Sequence, residues 1–425
     1  MPLAAALFGS MHDATRDATG VMREPYGPGE QVAIDALGDA GRSLALESET
    51  DPFGNLYLTL PGARRDLPRW IVGSHVDSVP RGGDFDGFAG VVAGVVAAAA
   101  LRRAGIVPPR DVTVMAIRAE ELSAWYGGDH GGHIGSRAAL GLLPPAELDT
   151  ALNSRSGKPL REHMRAAGFA PEAVGTPYLD PARFRGYLEL HIEQGPVLEA
   201  KGLPVGVVTA IRGAARARSC RCLGAYTHSG AVPHEYRSDA VLATVELVRE
   251  LDRHWERVRE RSGDLVFTVG KLYTDAAAHA LTKVPGEANF VLDFRSQDVA
   301  ILTEAIGLSR QLAAGIGAKR RVEFELGAIS LQRPAQMSAD FRAALHQGCR
   351  ELGIEALAMS SGAGHDAQDF VQAGIPAAMI FVRNANGSHN PLEAMDMADF
   401  ALGTQLLTWM LAYDAQVGGR VMRDG

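Results

Sequence analysis

The sequence predicts an α/β fold, with a mixed, largely parallel β-sheet that carries helices on both faces and a smaller inserted domain. Strand-like and helical runs alternate in the outer parts of the chain, which is typical of a parallel sheet covered on both sides. The middle of the chain follows a different order of elements. Its 425 residues are enough for two domains, and an apolar content of 46% is enough to bury a full core.

Five segments are predicted as strands because they are rich in Val, Ile, Leu and Tyr, and Gly or Pro bounds most of them. They are residues 56–60, 70–73, 111–118, 187–192 and 377–382. Helical patterns lie between them, notably at residues 89–104 and 340–352.

The middle of the chain predicts a separate two-layer domain. Its elements are a strand at 216–223, a helix at 239–261, strands at 265–272 and 289–294, a helix at 298–315 and a strand at 321–326. This βαββαβ order is that of the split βαβ, or ferredoxin-like, unit. We therefore expect residues 1–212 and 331–425 to form one domain and residues 213–330 to form an insertion within it.

Composition argues against several classes of protein. The net charge is 42 minus 50, or −8, and the chain has no basic block, so we expect no nucleic-acid partner. The longest small-apolar run, 88–101, is too short and too rich in Gly and Ala to predict a membrane span. The first residues lack a basic segment typical of a signal peptide, and three cysteines make no disulfide framework. These features predict a cytoplasmic protein.

Candidate metal ligands follow the predicted strands. The carboxyl ends of the strands share one edge of an open α/β sheet, where ligands gather. The candidates at or after strand ends are His75, Asp86, Glu120, Glu121, His191 and His389. One such side chain alone would indicate nothing, but the position of all of them at strand ends is unusual. Three imidazoles and two carboxylates suit two Zn²⁺, Mn²⁺ or Co²⁺ ions that share a bridging carboxylate.

The adjacent glutamates can divide the chemistry between them. One would bind metal, while the other would take a proton from the attacking water and pass it to the leaving nitrogen. Asp77, two residues after His75, suits the role of accepting the N–H of that imidazole on the side away from the metal. The alternative for Asp77 is a carboxylate that stabilises the turn.

Five short runs make the chain resemble a known family. They are GSHVDSV at 73–79, FDG at 85–87, LHIEQG at 190–195, SGAGHDA at 361–367 and SHNP at 388–391. In them the chain resembles the hydantoinase/carbamoylase-type dimetal amidohydrolases. That group includes N-carbamoyl-L-amino acid hydrolases, β-ureidopropionases and allantoate amidohydrolases, and is related to aminoacylases and glutamate carboxypeptidase-like peptidases. The resemblance implies an aminopeptidase-like catalytic domain and a lid domain through which two subunits form a homodimer.

The resemblance also implies roles for the metal ligands. Asp86 would bridge the two ions. His75 and His389 would hold one ion, and Glu121 and His191 the other. Glu120 would be the general base.

The resemblance assigns further residues to the substrate. Gln194 and His365 would lie near it. His228 would reach the active site of the partner subunit and stabilise the oxyanion, which is useful only across a symmetric interface. Arg295 would hold a substrate carboxylate in a bidentate contact.

The chain departs from the family pattern around the substrate. His279 and Thr282 stand where the family usually has asparagines, His234 follows an unusual lid segment, and Trp125 follows the glutamate pair. We interpret His234, His279 and Trp125 as signs of a pocket that is bulkier or accepts aromatic groups.

These features predict hydrolysis of a linear C–N bond in a small substrate with a carboxylate, as in an N-carbamoyl (ureido) or N-acyl amino acid. A dipeptidase, an aminoacylase or a hydrolytic deaminase on the same scaffold is the alternative. A binding protein with a decayed site is a third reading, which the intact ligand set disfavours.

Overall fold

The computed structural model describes residues 1–128 and 130–421, with side chains described up to residue 413. The chain divides into two compact units, Met1–Thr209 with Met337–Gly425, and Ala210–Gln336. The segment 213–330, predicted as an insertion, lies within the second unit.

The described part of the chain up to Ile211 contains ten strands and eight α-helices. The strands are β1 Arg16–Asp17, β2 Gly20–Val21, β3 Glu47–Thr50, β4 Leu56–Leu60, β5 Arg69–His75, β6 Val112–Ile117, β7 Tyr126–Gly127, β8 Leu152–Asn153, β9 Phe184–Ile192 and β10 Val205–Ile211. The helices are α1 Pro2–Thr15, α2 Pro28–Ser43, α3 Phe88–Arg103, α4 Leu122–Trp125, α5 Ile134–Ala139, α6 Glu147–Thr150, α7 Leu160–Ala166 and α8 Val197–Lys201.

The remaining elements belong to the second unit and to the C-terminal part of the first. In the second unit they are β11 Gly213–Leu223, β12 Thr227–His228, α9 Ala240–Glu260, β13 Val266–Thr268, β14 Leu272–Tyr273, β15 Lys283–Val284, β16 Glu287–Ser296, α10 Val299–Arg320, β17 Glu323–Glu325, β18 Ile329–Gln332 and β19 Ala335–Gln336. The last part holds α11 Ala339–Leu352, β20 Ala356–Ser361, α12 Ala367–Gln372, β21 Ala377–Val382, β22 Asn384–Ala385, β23 Ala394–Met395 and α13 Met397–Val421.

The main sheet of the first unit has a parallel centre and antiparallel flanks. Seven of its strands follow the order β10-β21-β9-β5-β6-β4-β3, and β20 pairs with β10 off this path. The strands β21, β9, β5 and β6 are parallel, whereas β10, β4 and β3 each pair antiparallel with their inner neighbour. The prediction of a mixed α/β fold is confirmed.

Helices cover both faces of this sheet. Successive side chains of a strand point to opposite faces. On β9, Leu188 joins the core cluster that contains α3, while the ring of Tyr187 stacks on Phe370 of α12 with centroids 3.9 Å apart. The close approach of α3 depends on Gly90, where an added Cβ would lie 2.2 Å from the carbonyl oxygen of Leu190. The strands β6 and β21 are buried along their whole length, as expected for a sheet covered on both faces.

The second unit is built on the pairing of β11 with β16. The two strands are antiparallel from Gly213↔Ser296 to Leu223↔Glu287, and β13 and β17 extend the sheet on either side. The side chains of β16 alternate strictly between buried and half-buried, because α9 and α10 cover one face. The main elements follow the order strand, helix, strand, strand, helix, strand.

The predicted strand at 265–272 is wrong in one respect. The structure has two short strands there, β13 and β14, which both pair with β16. Gly270 lies between them, and a glycine inside a strand pattern weakens it because it has no side chain to pack. The pattern of apolar residues spans the break and therefore did not reveal it.

One helix of the described residues, α10, is long and apolar enough to cross a bilayer by length and composition alone. Only 28% of its most apolar window is buried. Core helices of other proteins meet the same criterion, so a single helix of this kind is weak support for a membrane span.

Candidate metal centre

The five predicted metal ligands converge on one carboxylate, that of Asp86. Its Oδ1 atom lies 3.3 Å from Nε2 of His191 and 3.8 Å from Nε2 of His75. Its Oδ2 atom lies 3.3 Å from Nε2 of His389, which is itself 2.9 Å from Oε1 of Glu121. The ligand atoms therefore form two groups of three that share Asp86.

The imidazoles of His75 and His191 both direct their Nε2 atoms toward Asp86. Nδ1 of His75 lies 3.1 Å from the carbonyl oxygen of Asp77, and Nδ1 of His191 lies 2.9 Å from that of Ile192. A carbonyl oxygen only accepts, so Nδ1 of each ring carries a proton. Burial would lower the pKa of His75, but Asp77, Glu120 and Asp86 outweigh it and raise that pKa well above its usual value, so a metal ion would displace a proton from Nε2 of His75. Burial lowers the pKa of His191 to about 4, which keeps that ring neutral. Among the described residues, its Nε2 atom has no hydrogen-bonding partner.

The charges of the site favour a cation. Burial alone would raise the pKa of Asp86, but the surrounding imidazoles outweigh burial and lower it, so this carboxylate stays ionised. Hydrogen bonds to Asp86 and Glu121 raise the pKa of His389 to about 11. A metal ion would meet the same electrostatic need as that proton, so its binding would displace the proton. The donor set therefore fits divalent metal ions.

The grouping of the ligands corrects one prediction. The resemblance paired His75 with His389, and Glu121 with His191, whereas the structure groups His75 with His191, and Glu121 with His389. The reason is strand order. His75 and His191 lie at the carboxyl ends of β5 and β9, which are direct neighbours in the sheet.

The loop geometry around the site is unusual. Four non-glycine residues have left-handed backbone conformations: Ala119 (φ 56°), His133 (φ 49°), Gln194 (φ 64°) and His389 (φ 61°). Such conformations cost free energy and are found where the surrounding structure demands them, often at functional sites. Gly87 is similarly constrained, because an added Cβ would lie 2.3 Å from the ring of His75.

Asp77 links the His75 imidazole to the glutamate pair. Its two carboxylate oxygens accept the backbone N–H groups of Glu120 and Glu121 at 3.0 and 2.9 Å. The same carboxylate lies 3.4 Å from Nδ1 of His75. The buried side chain of Asp77 thus fixes the position of His75, a proposed metal ligand on β5, relative to the turn after β6.

A buried ion pair anchors that turn from the other side. The carboxylate of Glu30 accepts the backbone N–H of Ala119 at 2.9 Å and the guanidinium of Arg118 at 2.5 Å. Both side chains of the pair are 1% exposed or less. Burial raises the pKa of Glu30 to about 7 although Arg118 opposes this, so the carboxylate depends on its partner.

Replacing Arg118 by methionine is expected to lower the free energy of unfolding by about 3–5 kcal/mol, because it leaves the Glu30 charge buried and unpaired. Urea unfolding would measure this. The double variant Arg118→Met/Glu30→Gln should recover part of the loss. The surface pair of Arg64 with Asp66 is the matched control, since Arg64→Met should cost only about 0–1 kcal/mol. A loss below 1 kcal/mol for Arg118→Met would contradict the anchoring role.

Glu120 is the buried carboxylate beside the metal ligands. Its carboxylate belongs to a group of ligand-capable side chains with His75 and Glu121. Burial raises the pKa of Glu120 well above its usual value, and the neighbouring charge of Glu121 adds to the effect. A carboxylate of this kind has enough proton affinity to act as a base near neutral pH.

Three residues of the site were not predicted from the sequence. Ser388 donates to Oδ2 of Asp86 at 2.7 Å or to Glu393 at 2.6 Å. Glu393 accepts the backbone N–H of Asp86 at 3.2 Å and so holds the loop in place. His133 lies 3.3 Å from Glu120. Ser388 is next to His389 in the SHNP run, so that run offered a signal for it; His133 and Glu393 had none.

Gln194 and His365 lie against the metal ligands. The side-chain amide of Gln194 is 3.1 Å from both carboxylate oxygens of Asp86. The ring of His365 is buried and packs edge-on against His191 with centroids 4.5 Å apart. Nε2 of His365 lies 2.8 Å from the hydroxyl of Ser361. Their roles toward a substrate stay predictions.

Four predicted substrate residues belong to the second unit. His228 is exposed, and its Nδ1 accepts the backbone N–H groups of residues 230 and 231, both at 3.1 Å, which leaves the proton on Nε2. Nδ1 of His279 lies 2.7 Å from the hydroxyl of Thr274. Arg295 donates to Asp293 at 3.0 and 3.2 Å. His234 is exposed at the start of a short 3₁₀ helix.

The interpretation of Trp125 as a pocket residue is wrong. The side chain is 3% exposed, and its indole N–H donates to the carbonyl oxygen of Ser78 at 2.6 Å. The indole therefore packs under the loop that follows β5. A substrate would not meet it there.

The site and the fold together define a class. Metal ligands at the carboxyl edge of a mixed α/β sheet, with a free buried carboxylate beside them, are the features of a metal-dependent hydrolase. The chain belongs to Peptidase family M20/M25/M40, whose profile matches residues 71–412.

Individual relatives of the chain have names that are more specific than that of the family. The chain is 33% identical to the N-carbamoyl-L-amino acid amidohydrolase of Geobacillus stearothermophilus over 397 residues, 92% of this chain and 94% of that protein. It is 32% identical to the allantoate amidohydrolase of Escherichia coli, with 86% of each chain covered. The crystal structure of a hydantoinase/carbamoylase family amidase from Burkholderia multivorans superposes with a TM-score of 0.86, at 26% identity and 97% coverage of both chains. The resemblance predicted from the five runs is confirmed.

Proposed function

We propose that the protein hydrolyses a linear, non-peptide C–N bond with two divalent ions, Zn²⁺, Mn²⁺ or Co²⁺. His75 and His191 would hold one ion, Glu121 and His389 the other, and Asp86 would bridge them. The observation that carries this proposal is the convergence of the Nε2 atoms of His75 and His191 on the ionised, buried carboxylate of Asp86. Bound there, divalent ions supply polarisation of the scissile carbonyl and a lower pKa of the attacking water.

Glu120 would perform the proton transfers. Its buried carboxylate would take a proton from the attacking water and deliver it to the leaving nitrogen, for which its raised pKa is suited. Asp77 supports the base, because it holds the backbone of both glutamates. The amide of Gln194 would help to orient the substrate beside Asp86, and the buried His365 would support His191 from behind.

We propose a carbamoyl or acyl group next to a carboxylate as the substrate. The names of the relatives support a ureido substrate. Arg295 would exchange its partner Asp293 for the substrate carboxylate. His228 has its proton on Nε2, as a donor to a developing oxyanion must. His279 and His234 would shape the pocket around the substrate side chain.

The second unit would act as the lid and dimerisation domain in this proposal. His228 would serve the active site of the partner subunit, so the active form would be a homodimer. We propose that it acts in the cytoplasm, on a small molecule.

A substrate panel on metal-loaded protein tests the proposed reaction. An N-carbamoyl amino acid is expected to release ammonia, and its C-terminal amide is expected to react far more slowly because it lacks the carboxylate. N-acetyl amino acids and dipeptides, followed by release of free amine, complete the panel. Arg295→Lys should raise KM for the carboxylate substrate alone, since an ammonium loses the bidentate contact. Turnover of dipeptides only would overturn the proposed substrate.

A further inference from the structure

His133 joins the proposed base to a second buried carboxylate. Its Nε2 atom lies 3.3 Å from Oε1 of Glu120, and its Nδ1 atom lies 3.1 Å from Oδ2 of Asp369. Its side chain is 11% exposed, and those of Glu120 and Asp369 are 9% and 4% exposed. Both ring nitrogens thus lie within ion-pair distance of carboxylates in a place largely shielded from water, although Nδ1 makes no hydrogen bond among the described residues.

The backbone ties His133 to the turn that carries Glu120. The N–H of His133 donates to the carbonyl oxygen of Glu120 at 3.1 Å, and that of Ile134 donates to Ala119 at 3.0 Å. His133 itself has a left-handed backbone conformation. The backbone of His133 is therefore held beside that of Glu120.

The far side of the ring is held by a different element. Asp369 lies on α12, and the hydroxyl of Ser136 is within 3.3 Å of it. Ser136 also donates to Asp366 at 2.6 Å. His133 is thus placed between the turn after β6 and helix α12, which packs on β9 and β21.

A third metal ion is the competing explanation for this cluster, because His133, Asp366 and Asp369 could together hold one. A proton on the imidazole would offset the same negative charges. Burial lowers the pKa of His133, but Glu120 and Asp369 outweigh burial and raise it to about 10. A protonated ring would supply a cation between the carboxylates, and the metal content of the wild type separates the two cases.

We propose that His133 is a positioning residue that holds one carboxylate oxygen of Glu120 through its Nε2–H and leaves the other oxygen free for the attacking water. The inference rests on the proposed function, because it requires Glu120 to be the base. A base fixed in one orientation reacts faster, since misplacement by about 1 Å can cost roughly 100-fold in rate.

Two variants of His133 separate positioning from a structural role. The amide nitrogen of glutamine reaches the place of Nε2 and can serve Glu120, whereas that of asparagine reaches the place of Nδ1 and can serve only Asp369. We expect His133→Asn to lower kcat by about 100-fold with KM changed less than about twofold, and His133→Gln to restore most of the loss. Thermal melting and metal content are measured for both variants.

Each other result overturns the inference. Equal losses in both variants, or a larger loss in His133→Gln, would show that His133 only supports the fold through Asp369. A third equivalent of Mn²⁺ in the wild type that both variants lose would assign the cluster to a metal. The proposed function is tested separately by Glu120→Gln. If that variant is active, Glu120 is not the base and the proposed function fails. If it is inactive while both His133 variants turn over normally, only the positioning role of His133 fails.

Discussion

Replacing Glu120 by glutamine is expected to lower kcat by a factor of about 10²–10⁴ while the protein keeps its metal ions. Glutamine has nearly the same shape, but its amide cannot accept the proton of the attacking water. Glu120 lies close to His75 and Glu121 without being one of the ligands that share Asp86. Turnover at saturating substrate and elemental analysis of the same sample would measure the two effects.

Two control variants make the Glu120 result specific. Glu199→Gln changes an exposed glutamate on α8 and should leave turnover and metal content as they are. Glu121→Gln changes a proposed ligand and should lose metal together with activity. If Glu120→Gln lost metal as well, Glu120 would be a ligand rather than the base.

Replacing Asp86 by alanine is expected to weaken binding of both ions by more than about 100-fold, because even residues that only support metal ligands contribute 10- to 100-fold. Asp86 is the residue shared by the two ligand groups, so its loss should affect both sites at once. Metal titration by calorimetry would show this. Activity should fall below detection at equimolar metal.

The matched control for Asp86 lies in the same loop. Asp84 pairs with Arg16 at 3.1 Å and belongs to neither ligand group, so Asp84→Asn should retain both ions. Loss of only one ion in Asp86→Ala would contradict a bridging role. It would assign Asp86 to a single site.

The sequence predicted that these side chains would lie together because their positions follow from a simple rule. His75, His191 and the glutamate pair stand at or just after buried strands, and parallel strands bring such ends to one edge. His389 follows β21 by several residues, and the same rule placed it there. The strands themselves were visible as short β-rich runs between glycines and prolines.

The division of the ligands between two ions could not be predicted in this way. It depends on which strands are neighbours, and the order β6-β5-β9-β21 is set by packing of the whole sheet. The resemblance in sequence motifs identified the ligand residues but not the distances between them. As a result the resemblance grouped His75 with His389, whereas the structure places it beside His191.

The residues that hold the site in place could not be predicted from the sequence either. Glu30 on α2 anchors the turn at Ala119 from a position 89 residues away in sequence. His133 contacts Glu120 because the chain doubles back along that turn, which no local pattern indicates. Residues that act through long-range contacts carry no periodicity of their own, so only the structure reveals them.

The binding of two cations on either side of Asp86 is the central claim, and anomalous diffraction from crystals grown with Mn²⁺ tests it most directly. We predict two anomalous peaks, one next to His75 and His191 and one next to Glu121 and His389. A map that shows no peak near Asp86, or a single ion with His75 and His389 as joint ligands, would contradict it.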